Sequence, residues 1–133
     1  MNISTGVMCF LLFIGRASQY GPGVMDRVIR VRQSGRTAMT LPAKLPEVDG
    51  YVAVQDCLMI GEVIRVRPVG AAEWERFLVT DCASKSDRQS PTDPRSGYEW
   101  MVDGNILIEV DYETAVRWNT VGRAIDIEVI NGF

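Results

Sequence analysis

Residues 50–67 read G-Y-V-A-V-Q-D-C-L-M-I-G-E-V-I-R-V-R, residues 75–84 read E-R-F-L-V-T-D-C-A-S, and residues 105–118 read N-I-L-I-E-V-D-Y-E-T-A-V-R-W. Within these runs side chains alternate at the two-residue period of a strand. Ile64 and Val66 oppose Arg65 and Arg67; Phe77, Val79 and Asp81 share a face; Ile106, Ile108 and Val110 oppose Leu107, Glu109 and Asp111. Each run delivers a carboxylate or a cysteine near its end. The third passes into a helix at 112–118, where Tyr112, Ala115 and Val116 fall at helical spacing and Asp111 is placed as N-cap.

Working outward, residues 51–54 begin a short strand, and Gly70-Ala71-Ala72 forms a hairpin connection into 75–82. Residues 124–130 close the chain with Ile125, Ile127 and Val129 opposed to Asp126 and Glu128. Upstream, D-R-V-I-R-V-R at 26–32 predicts a strand with Ile29 and Val31 on one face, after a Q-Y-G-P-G turn at 19–23. Residues 34–49, with Gly35, Pro42 and Pro46, predict a long connection, and the polar 85–97 an exposed loop. About six short strands with one short helix predict an all-β domain closed into a barrel, the alternative being an open sandwich.

The chain has 133 residues, room for one domain with its own core. Its net charge of −3 supplies no basic footprint for phosphates, so no nucleic-acid partner is expected. Histidine is absent, which excludes Ser-His and Cys-His nucleophile pairs and histidine-based zinc sites. The cysteines at 9, 57 and 82 do not complete a thiolate zinc site, and no metal or cofactor is expected. Any catalysis falls to carboxylates.

The apolar run at 7–14 is shorter than the roughly 20 residues that span a bilayer. It matches the hydrophobic region of a secretory signal, with Gly15-Arg16-Ala17 offering small residues at a cleavage site, although no Lys or Arg precedes it. The expectation is a signal peptide at 1–18 and a barrel domain at 19–133, secreted or in the cell envelope, with no transmembrane span in the mature chain. The alternative is a first strand retained in the fold. Loss of Cys9 with the leader would leave an even number of cysteines, suiting an oxidising compartment.

The sequence G-x-V-A-V…I-G-E-V-I-R-V, then F-L-V-T-D-C, then I-L-I-E-V-D-Y-E-T-A-V-R-W, resembles the six-stranded double-psi β-barrel of bacterial three-aspartate cell-wall domains. It is also similar to the related rare-lipoprotein-A, barwin and expansin barrels, and A-S-Q-Y-G-P-G at 17–23 resembles the rare-lipoprotein-A opening. The matches cover residues 17–130. The resemblance implies a double-psi barrel that binds peptidoglycan or a related glycan, some members cleaving it as lytic transglycosylases. In the three-aspartate pattern the second acid corresponds to Asp81 and the third to Glu109, while Gln55 stands where the first belongs and Asp56 comes one residue late. The expansin His-Phe-Asp triplet is matched only by Leu107-Ile108-Glu109.

A lytic transglycosylase uses the sugar's own hydroxyl as nucleophile, so one partly buried carboxyl of raised pKa acts first as acid and then as base. Asp81 and Glu109 are the catalytic candidates, each with a structural alternative: Asp81 as an acceptor of backbone N–H groups, Glu109 as an exposed strand carboxylate. Tyr20 and Trp100, among the loop aromatics, are the candidates for stacking on sugar rings. Asp111 is better read as a cap and Trp118 as core. Related barwin-type barrels carry cysteines in similar places, which implies, for an exported chain, a Cys57–Cys82 disulfide closing a loop of about 25 residues and contributing roughly 3 kcal/mol; the alternative, without export, is two free buried thiols. The functional expectation is a secreted barrel that binds and cleaves peptidoglycan strands. The alternatives are a non-catalytic glycan- or protein-binding module and a structural subunit of a surface or phage-related assembly; no oligomeric state is read from the sequence.

Overall fold

The computed structural model describes residues 10–132. Six strands, β1 (Phe10–Gln19), β2 (Gly50–Val54), β3 (Val63–Pro68), β4 (Glu75–Cys82), β7 (Ile106–Val110) and β8 (Ile125–Gly132), close a barrel in the order β1-β7-β2-β4-β3-β8. The pairs β1/β7 and β2/β4 are parallel and the rest antiparallel, so the barrel is mixed. The expected all-β, closed six-stranded architecture is the observed one. Val52, Val66, Phe77, Val79, Ile108, Val110 and Ile127 fill its core at no more than 1% exposure. A short hairpin, β5 (Arg88–Ser90) with β6 (Asp93–Ser96), lies apart from the barrel within the segment expected to be loop.

Among the described residues three α-helices accompany the strands: α1 (Val24–Gln33), α2 (Gly97–Asp103) and α3 (Tyr112–Trp118). The helix expected at 112–118 is α3, with Asp111 accepting from Thr114 N as its cap. The strand expected at 26–32 is instead part of α1. The alternation of Ile29 and Val31 with arginines is real, but Met25 and Ile29, one helical turn apart, are the residues that enter the core. Asp26 in the first turn and Arg30 and Arg32 in the last also complement the helix dipole. Gly23, at φ 74°, turns the chain into α1 through a left-handed conformation that a side chain would disfavour. Helix α2 starts on a capping box: Ser96 Oγ accepts from Glu99 N and Glu99 returns a bond from Ser96 N.

The boundary expected at 18/19 falls within β1. Its second half pairs with β7 from Arg16 to Gln19 and with β8, whereas Phe10–Ile14 pairs with β8 alone. Cys9 and the start of the apolar run lie outside the described residues. Among the described residues no helix is long and apolar enough to cross a membrane.

Two close approaches hold the barrel ends. A 3-10 turn at Cys57–Met59 follows β2, and the Cys57–Cys82 disulfide ties it to the end of β4 with Cα atoms 4.9 Å apart. At the start of β2, Gly50 lies against Phe77, Thr114 and Asp111; a Cβ there would come within 2.6 Å of the Phe77 ring. Asp111 therefore also accepts from Tyr51 N at 3.0 Å and from Thr114 Oγ1 at 2.7 Å, coupling α3 to β2.

Candidate functional site

Strand register brings the two candidate acids together. Asp81 on β4 pairs with Ala53 on β2, Ala53 with Glu109 on β7, and Glu109 with Ser18 on β1. Paired residues share a face of a sheet, so Ser18, Glu109, Ala53 and Asp81 form one transverse row over four strands. The two acids flank Ala53 at two strand spacings, roughly 10 Å between Cα atoms, and Ala53 itself is buried at 1% exposure.

A β-bulge decides this arrangement. Val52 pairs with Val79, but Ala53 pairs with Asp81, so β4 inserts Thr80 as an extra residue. Strict alternation put Asp81 on the face of Phe77 and Val79; the bulge turns it to the opposite one. Thr80, fully buried, donates from Oγ1 to Met25 Sδ of α1 at 3.0 Å, so the inserted residue also seats the helix beside the acids.

The two carboxylates have different surroundings. Both oxygens of Asp81 are occupied: Oδ1 accepts from Arg32 Nη2 at 2.6 Å and Oδ2 from the Tyr20 hydroxyl at 2.5 Å. Arg32 is itself oriented by donating from Nη1 to the Met39 carbonyl at 3.0 Å. Burial, with the Asp81 carboxylate beside it, pushes the Tyr20 phenol well above its ordinary value, so it stays a donor. Among the described residues Glu109 has no cationic partner. Ser18 Oγ donates to its Oε2 at 3.2 Å, and burial, opposed by that bond and reinforced by the negative charge of Asp81, raises the Glu109 carboxyl to about 7.

The structure thus brings Asp81, Glu109 and Tyr20 into one site, with Tyr20 as a hydrogen-bond donor to an acid. It does not bring Trp100 there: α2 packs on the β5–β6 hairpin and β7 and precedes the start of β7, while Glu109 stands near that strand's other end. Gln55, where the resemblance placed an acid, donates from Nε2 to the Ile106 carbonyl at 2.9 Å. Asp56 caps the 3-10 turn through Leu58 N at 2.9 Å. Trp118 packs edge-on against Phe77 and donates to Glu75 Oε2 at 2.7 Å, which agrees with a core role.

Sequence reasoning missed Ser18, Ala53 and Arg32. Ser18, two residues before Tyr20 in A-S-Q-Y, would have emerged from the alternative of a first strand retained in the fold. Arg32 required recognising α1. Among the described residues no cluster of acids, cysteines and histidines could hold a metal ion. No protein-family profile and no curated protein sequence matches the chain.

Proposed function

We propose that this chain is an exported double-psi barrel that binds peptidoglycan glycan strands and cleaves them as a lytic transglycosylase, with Glu109 as the proton-handling group. The observation that carries the reading is the asymmetric acid pair: a half-buried Glu109 with its carboxyl raised to about 7, two strands from an ion-paired Asp81. Glu109 protonates the bridging oxygen as the glycosidic bond breaks. Asp81 stabilises the positive charge that develops on the sugar. The carboxylate left on Glu109 then takes the proton of the sugar's own 6-hydroxyl as that oxygen closes on the anomeric carbon, giving a 1,6-anhydro product. Export is supported by the Cys57–Cys82 disulfide, a bond of oxidising compartments.

Digestion of purified sacculi tests this. Mass spectrometry of the released fragments is expected to show anhydro-muramyl ends; intact sacculi after prolonged incubation would reject the enzymatic reading. A second reading, a glycan-binding module without turnover, is favoured by the occupation of both Asp81 oxygens and by Gln55 in place of an acid. Sacculus pull-down without product release would select it.

A further inference from the structure

Beside Asp81, on its α1 side, lies a cleft of about 370 Å³. Val24, Val28 and Val31, at one helical stripe of α1, line it together with Arg27, Arg32 and Thr37. Three observations give it a charge preference. Residues 24–36 carry Arg27, Arg30, Arg32 and Arg36 against Asp26 alone, a cationic segment in a chain of net charge −3. Arg27 is exposed and makes no ion pair among the described residues, so its charge is uncompensated by the protein. Arg32 Nε is buried without a hydrogen-bond partner although both of its terminal nitrogens are used. Buried donors of this kind are rare and mark places where a ligand group or water completes the bonding.

We propose that this cleft is a subsite for a carboxylate carried on a short alkyl arm. The valines receive the alkyl part and Arg27 the carboxylate, with Arg32 Nε as a further donor. The inference rests on the glycan-cleaving reading above and deepens it: the glycan taken at Glu109 bears an acidic substituent, which separates muramyl strands from neutral N-acetylglucosamine polymers.

Calorimetric titration of the full chain with three probes tests it: chitotetraose, a muramyl tetrasaccharide with free lactyl carboxylates, and the same tetrasaccharide carrying its peptides. At least one acidic probe is expected to bind about tenfold more tightly than chitotetraose, about 1.4 kcal/mol, and the acidic probe that does so identifies the source of the carboxylate. Arg27→Gln removes that preference, whereas Arg30→Gln, the same charge change on α1 away from the cleft, keeps it. Equal binding of all three probes, or a preference that survives Arg27→Gln, overturns the subsite while leaving the glycan reading standing. Loss of the preference in both variants reduces it to a general field effect and also overturns the subsite. Failure of the wild type to bind any probe overturns the glycan reading and this inference with it.

Discussion

The two flanks of the site differ more than their residue types suggest. On the β4 flank, Asp81 is held by Arg32 and Tyr20, with the disulfide at the next residue and α1 seated on the bulged Thr80. On the β7 flank, Glu109 accepts a hydrogen bond from Ser18 and has no cation beside it among the described residues. One carboxylate is held by an ion pair and a phenol hydrogen bond, and the other is left where burial favours its neutral form. Under the proposed function, that difference would assign a charge-stabilising role to Asp81 and a proton-donating one to Glu109 without any histidine.

The comparison breaks most visibly if Glu109 is replaced. Glu109→Gln retains the shape of the side chain and the bond from Ser18 but cannot transfer a proton, so release of anhydro fragments is expected to fall by about 100-fold or more, measured by chromatography of sacculus digests. Next in size, Arg32→Ala leaves Asp81 partly buried and without its cation, and is expected to cost about 3 kcal/mol or more in denaturant unfolding. Adding Asp81→Asn to Arg32→Ala should recover part of that loss, since the uncompensated charge is then gone.

The pH dependence of stability belongs to the β7 flank. Folding raises the Glu109 pKa from 4.5 to about 7, so the folded chain keeps a proton that the unfolded chain releases. This contribution is complete below about 4.5, is lost as pH rises towards 7, and stays absent above it. Its size is at most about 3 kcal/mol, and Glu109→Gln should flatten that part of the curve in a series of urea titrations. Smallest is Tyr20→Phe, which removes one hydroxyl donor from Asp81 and is expected to cost about 1 to 2 kcal/mol by thermal unfolding, with Arg32 still in place.

The sequence carries the barrel clearly because alternation is a local property. Residues 62–69, 75–82, 105–110 and 124–130 alternate by themselves, and their strands β3, β4, β7 and β8 appear close to those positions. Other features depend on residues far apart in the chain. Residues 26–32 satisfy both a strand and a helix pattern, and only the burial of Met25 and Ile29 against the barrel selects the helix. Helix α2 had a legible signal in Ser96-Gly97-Tyr98-Glu99, a capping box inside a polar loop. The apolar run before Gly15 misleads in another way: Leu11, Leu12, Phe13 and Ile14 are 43–67% exposed, so hydrophobicity there reports no barrel core.

The site itself was half legible. Asp81 and Glu109 could be placed at the ends of strands, but their shared row depends on the bulge between Val79 and Asp81, which shifts register without any glycine or proline to announce it. The partners that distinguish the acids, Arg32 and Ser18, come from segments 49 and 91 residues away along the chain. Spacing rules that act over a few residues cannot pair such positions.

The division of roles between the flanks is tested most directly by titrating the Glu109 carboxyl with carbon-13 NMR, assigned by its disappearance in Glu109→Gln. The account predicts a midpoint near 7 in the wild type and a lower one in Asp81→Asn, where the neighbouring negative charge is removed. A wild-type midpoint near 4.5, unchanged in Asp81→Asn, would contradict it.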